Sequence, residues 1–269
     1  MVITDLDASL LWHDYSFDEA KPTIRKLKEL GFPLIFNSSK TVAEMKALAE
    51  ELNSVSPIIA ENGGVVAIHK DDELKNTGNE AAGDYSLAYS GMSRDEVLSV
   101  AHQLREEFEY KFRGFDDFSS SELCSITKLT DKGAILAKDR HVTEPILWFD
   151  TEERFQSFNG QLAAKQIRVV RGGKFIHLMG EVDKSKGAQL VIDLMKKAFP
   201  SDDWTVVAIG DSENDLGMLE LADLPIVIPH DGEIRIRPEN SATVYATQNA
   251  SAGWAEEVEK ILAKFENCN

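Results

Sequence analysis

Two acidic clusters carry the first sign of chemistry in this chain. Asp5-Leu6-Asp7-Ala8-Ser9 follows a short apolar run, and Gly210-Asp211-Ser212-Glu213-Asn214-Asp215 follows another over residues 204–209. Two carboxylates at i and i+2 with a nearby hydroxyl offer a nucleophile or metal ligand, a proton carrier and a donor to an anion. In the second cluster Gly210 permits a sharp turn, while Asp211 and Asp215 supply hard oxygens of the kind Mg2+ prefers. An acidic turn after a strand is the bland explanation of either cluster alone. Two of them at matching strand ends make that explanation the weaker one.

Two further pieces fit an anion. Asn37-Ser38-Ser39-Lys40-Thr41 stands between an apolar run and a helical pattern, where hydroxyls and backbone N–H groups can cradle phosphate, although Ser and Thr also cap helices everywhere. Asp183-Lys184-Ser185-Lys186-Gly187 opens a later helix and offers a lysine to neutralise developing charge, although most lysines are solvated.

These residues need elements to hold them. Residues 17–30 have helical periodicity ending at Gly31, 33–36 read as a buried strand, 42–52 as a helix and 57–60 as another strand. Strand–helix alternation at these lengths predicts βαβ units on a parallel sheet, with ligands beyond the strand C-termini. The polar stretch 70–84, with Gly78 and Gly83, reads as a boundary. After it come helical patterns at 94–109, 132–140 and 152–165 and strand patterns at 145–149, 167–170 and 175–179, a set expected to close on itself. The doubly wound pattern resumes with a helix at 186–198, a strand at 204–209, a helix from 216, strands at 225–228 and 243–245, and a helix at 254–265. The expected fold class is α/β: a doubly wound, Rossmann-like core from residues 1–82 and 180–269, with an inserted α+β domain over 83–179.

Composition narrows the function. With 29 Lys+Arg against 46 Asp+Glu, the formal charge is −17. That balance argues against broad nucleic-acid or anionic-membrane binding, which needs excess cations. It does not exclude a small anion in a local pocket. Cys124 and Cys268 are too few for a disulfide framework or a zinc ribbon, and Cys268 reads as a loose tail residue. The start of the chain lacks a basic segment before its apolar run, so no signal peptide is expected. No stretch approaches the roughly 20 apolar residues of a membrane span. A cytoplasmic protein, monomeric or a small homo-oligomer, is expected.

Taken in order, Asp5-x-Asp7-x-Ser9, Ser38, Lys186-Gly187 and Gly210-Asp211-x-x-Asn214-Asp215 resemble the four motifs of the haloacid dehalogenase superfamily. The insert resembles the C2-type cap of its IIB subfamily (a C2B cap). Ser38-Ser39-Lys40-Thr41, Glu61-Asn62-Gly63-Gly64, Phe115-Asp116-Asp117, Gly173-Lys174-Phe175-Ile176-His177 and Gly253-Trp254 are similar to mannosyl-3-phosphoglycerate phosphatases. Two departures stand in the first motif, where Ala8 and Ser9 replace the usual Gly and Thr. The resemblance implies Asp5 as nucleophile, Asp7 as acid and base, and Ser38 and Lys186 on the phosphoryl oxygens, with Lys184 a neighbouring candidate. It implies Mg2+ held by Asp5, Asp7 through its backbone carbonyl, Asp211 and Asp215, and a small anionic sugar-phosphate substrate whose hydrolysis yields the compatible solute mannosylglycerate.

The insert is expected to choose the substrate. Residues 155–180 contain no Asp or Glu but hold Lys165, Arg168, Arg171, Lys174 and His177. This is either a basic strand pair on the exterior or a set from which Arg171, Lys174 or His177 meets a glycerate carboxylate. Glu61 and Asn62 either cap a loop or accept sugar hydroxyls. Rival readings are a phosphatase for glucosyl-3-phosphoglycerate or another sugar phosphate, a non-catalytic sugar-phosphate binder, and a phosphomutase.

Overall fold

The computed structural model describes residues 1–74, 80–171 and 174–266. Gly78, Gly173 and Cys268 lie outside them. The first half-sheet forms as the alternation predicts: β1 (Val2–Thr4), α1 (Lys21–Glu29), β2 (Leu34–Asn37), α2 (Val42–Glu51) and β3 (Ile58–Ala60). The chain then does something the sequence did not announce. β4 (Val65–His69), β5 (Glu80–Ala82) and β6 (Tyr85–Tyr89) run antiparallel and extend the same sheet. The expected boundary at residue 83 therefore needs correcting, because it falls in the turn between two strands of the core sheet.

Beyond Tyr89 lies the insert: α3 (Arg94–Phe108), β7 (Phe112–Gly114), α4 (Ser120–Thr127), α5 (Asp131–Lys138), β8 (Thr143–Trp148), α6 (Glu152–Ala163), β9 (Arg168–Arg171) and β10 (Ile176–Met179). The core resumes with α7 (Lys184–Ala198), β11 (Val207–Gly210), α8 (Leu216–Glu220), β12 (Leu224–Val227), β13 (Val244–Tyr245) and α9 (Ala250–Glu266).

Among the described residues, the core sheet has the order β13-β12-β11-β1-β2-β3-β4-β6-β5, parallel from β13 through β3. β1 sits between β2 and β11, so the chain reverses its direction of travel across the sheet there. Such a switch point opens a crevice at the strand C-termini. Alternate side chains feed two cores, as a sheet buried on both faces requires. Val2, Leu34 and Phe36 pack with Ile24, Leu27, Met45, Trp254 and Val258 on one face. Ile3, Ile35 and Ala208 pack with Val191, Met195 and Met218 on the other.

The insert is an antiparallel sheet, β7-β8-β10-β9. Ile146 and Leu178 face Val97, Phe158 and Leu162 of α3 and α6. Leu147, one residue on and therefore on the opposite face, packs toward Phe118, Leu123 and Ala134 near α4 and α5. The insert docks on the core where Thr41 Oγ1 donates to the Leu136 carbonyl, 2.9 Å away, at the end of α5.

Candidate active site

Asp5 lies one residue past β1, with its N–H on the Ile209 carbonyl at 2.9 Å. Its own carbonyl accepts from Thr4 Oγ1 at 2.7 Å, and Thr4 Oγ1 accepts from the buried Trp254 Nε1 at 3.0 Å. This chain gives Gly253-Trp254 a physical role: the terminal helix reaches across to hold the strand end that presents Asp5. Ala8 follows with φ +62°, in the left-handed region that favours glycine, so the departure at this position is strained backbone.

The Asp211 loop meets Asp5 from the neighbouring β11. Carboxylate oxygens of Asp5, Asp211 and Asp215 lie within 4.8 Å of one another, and all three residues are buried. Asp215 spends one oxygen on its own loop, accepting from the N–H groups of Asp211 at 3.1 Å and Ser212 at 3.0 Å. Burial, followed by the charges of Asp215 and Asp211 and opposed by Lys184, pushes Asp5 well above the usual carboxylate range. Burial and Asp215 likewise raise Asp211. Three crowded hard oxygens form a donor set that fits a divalent cation such as Mg2+. Asp5 and Asp211 have the oxygens to hold it, and Asp215 supports them.

Lys184 neutralises the cluster. Its Nζ lies 2.5 Å from Asp5 Oδ1 and 2.6 Å from Asp215 Oδ1, at 1% side-chain exposure. Burial opposes its charge, but Asp215 and Asp5 outweigh that and hold it protonated. The expected phosphate lysine, Lys186, is exposed and its Nζ donates to the Glu181 carbonyl at 2.6 Å. The correction has a geometric reason. Residues two apart on a helix differ by roughly 200° in direction, whereas residues three apart share a face. Lys184 shares its face with Gly187, which touches the core turn: a Cβ there would lie 2.5 Å from Ile59 Cγ2 and 2.8 Å from Gly63 Cα. Asn37 Nδ2 fixes the start of α7 by donating to the Lys184 carbonyl at 2.9 Å.

The remaining expected residues divide. Ser38 is fully buried at the end of β2; its Oγ accepts from the Lys40 N–H at 3.3 Å, which leaves the hydroxyl proton free to donate. Asp7 is exposed beside the buried trio and pairs with Lys40 Nζ at 2.9 Å, a partner the sequence reading missed. Asn62 is buried, with Oδ1 accepting from Asn214 Nδ2 at 3.3 Å and its own Nδ2 without a partner among the described residues. Glu61 needs correcting as a sugar ligand. Its oxygens accept from the N–H groups of His141, Val142 and Thr143 at 2.8, 3.1 and 2.9 Å, and from Thr143 Oγ1 at 2.7 Å.

The cations expected to meet substrate also need correcting. Arg171 pairs with both oxygens of Glu152 at 2.7 and 2.8 Å, and Lys174 Nζ donates to the Ile126 carbonyl. His177 is neutral: burial, then the Arg140 charge, lowers it to about 3, and its Nδ1 has no partner among the described residues. The cation at the seam between insert and core is Arg140, whose Nη1 donates to the Ser39 carbonyl at 3.2 Å and Thr143 Oγ1 at 2.8 Å. A single Arg between a helix and a strand carries no pattern by which sequence could have singled it out. His230 was also missed; its Nδ1 lies 2.5 Å from Asp211 Oδ2.

Comparison with known proteins places this geometry. A model of haloacid dehalogenase-like hydrolases matches residues 2–230. The chain is 31% identical over 268 residues to a glucosyl-3-phosphoglycerate/mannosyl-3-phosphoglycerate phosphatase of Persephonella marina, covering 99% of this chain and 98% of that one. It is 32% identical over 236 residues to a mannosyl-3-phosphoglycerate phosphatase of Pyrococcus furiosus, covering 87% and 92%. A haloacid dehalogenase-like hydrolase from Bacteroides thetaiotaomicron superposes with a TM-score of 0.68 at 19% identity, over 97% of this chain and 98% of that one.

Proposed function

The chain belongs to the haloacid dehalogenase-like hydrolases and is a phosphoric monoester hydrolase, and from that premise we propose that it hydrolyses a glycosyl-3-phosphoglycerate, mannosyl-3-phosphoglycerate to mannosylglycerate, with Mg2+. The buried trio of Asp5, Asp211 and Asp215 with Lys184 at the sheet switch point carries the reading. An Asp5 carboxylate oxygen attacks phosphorus while the ester P–O bond breaks, and the leaving oxygen takes a proton from Asp7. Water then attacks the aspartyl-phosphate and gives its proton to Asp7, which releases phosphate, restores the Asp5 carboxylate and returns Asp7 to its protonated form. Asp5, the Asp7 backbone carbonyl and Asp211 would hold Mg2+, which would supply charge to offset the repulsion between carboxylate and phosphate. Lys184 and the Ser38 hydroxyl are placed to take the phosphoryl oxygens, and Lys40 orients Asp7.

The insert acts as a cap over residues 90–179. In place of Arg171 or Lys174, Arg140 serves the glycerate carboxylate, since three neutral acceptors position it and no carboxylate pairs with it among the described residues. Asn62 Nδ2, without a partner among the described residues, is left for a substrate oxygen. A glucosyl substrate is the second reading, favoured by the two-substrate name of the Persephonella relative. The test is Mg2+-dependent phosphate release across a panel of glycosyl-3-phosphoglycerates. Asp5→Asn should fall at least about 1,000-fold with folding intact. Equal turnover by that variant, or no turnover of any panel member by the natural chain, would overturn the proposal.

A further inference from the structure

A second cluster lies at the rim of the crevice, outside the catalytic set. His13 stands in the loop after β1, and His230 and Asp231 stand in the loop after β12. His13 Nε2 is 3.0 Å from Asp231 Oδ1, and His230 Nε2 is 3.9 Å from Asp231 Oδ2. The imidazole centroids are 5.7 Å apart at 57°. One ligand atom from each of the three lies within 4.8 Å of the others. Two rings thus turn a nitrogen toward one carboxylate.

The other nitrogen of His230 supplies an independent observation. Its Nδ1 sits 2.5 Å from Asp211 Oδ2, so this nitrogen is taken up by a hydrogen bond to the Asp211 carboxyl. Nε2 is then the ring nitrogen on the side of Asp231, 3.9 Å from its Oδ2. A carboxylate behind a histidine, fixing its tautomer and ring plane, is the arrangement that supports histidines on metals. The donor set also differs in kind from the buried trio. Asp5, Asp211 and Asp215 offer oxygen alone, whereas two imidazoles and a carboxylate select later transition metals over Mg2+.

We propose that His13, His230 and Asp231 form a second cation site of the Zn2+ class, with its remaining positions open to water. His13 and Asp231 are 67% and 69% exposed, so their side chains are free to close around a shared ion. The bound ion would join the loop carrying Tyr15, which stacks under Lys40, to the loop whose His230 touches Asp211. The inference does not depend on which phosphate ester is hydrolysed.

The test is calorimetric titration of the metal-stripped full chain with Zn2+, with Mg2+ held in excess to occupy the oxygen site. Co2+ in parallel reports its ligands through its visible spectrum. One equivalent should bind to the natural chain, and His13→Ala and Asp231→Ala should each lose at least about tenfold in affinity. Because both side chains are exposed, both variants should keep the natural circular dichroism. His102→Ala, on α3, should bind as the natural chain does. Equal binding by the natural chain and His13→Ala would overturn the site, as would the absence of any Zn2+ binding to the natural chain.

Discussion

Removing the Lys184 ammonium leaves Asp5 and Asp215 buried and unneutralised, whereas Lys186 points to solvent. Lys184→Met should therefore lower phosphate release at least about 100-fold and cost about 3–5 kcal/mol in chemical unfolding. Lys186→Ala should lie within about twofold of the natural rate. Asp211 makes a separate prediction about pH. Its folded value is raised, so ionising it costs stability; that cost is absent below the unfolded value of about 4 and complete above the folded one. In metal-free buffer, Asp211→Asn should melt above the natural chain near pH ~8 by about 1 kcal/mol, and the gap should close as pH falls toward ~4. Scanning calorimetry across that range checks it; a gap that widens toward acid would contradict the assignment. At this scale the sequence revealed residue types better than directions. Asp5, Asp211 and Ser38 were legible because they follow apolar runs, but helix phase decided between Lys184 and Lys186, and partners across the fold decided Glu61, Arg171 and Lys174.

Among the elements, α7 and the turn after β3 meet through two glycines, Gly187 and Gly63, and that contact sets where Lys184 arrives. A methyl at Gly187 must push α7 off the turn. Gly187→Ala should lower kcat at least about tenfold while KM moves less, with a loss of about 1–3 kcal/mol, because a displacement of about an ångström at a charged site is costly. Unchanged kcat with reduced stability would show that the contact serves packing alone. The parallel half of the sheet was readable from strand–helix alternation. The antiparallel extension was not, because the polar residues 70–84 interrupt the pattern and β6, near the sheet edge, buries only alternate residues. α4, with its Ser119 cap and mostly polar surface, also gave no periodic signal.

For the whole molecule, the charge of −17 acts as self-repulsion. The acid-free stretch 155–180 does not concentrate a counter-field over the crevice, since Arg168 and Arg171 meet Asp183 and Glu152 from neighbouring elements. Screening should therefore stabilise the metal-free chain: moving from low to physiological ionic strength should raise its Tm by roughly 2–4 °C. A Tm independent of salt would mean that local pairs already balance the surface. Glu61 grips three successive amides at residues 141–143, which lead into the insert's second strand. The insert is thus latched from the core side, by a residue far from it in sequence. A chimaera that grafts another cap between residues 90 and 179 would inherit the latch but not its keeper, unless the incoming segment returns three free amides to the same place.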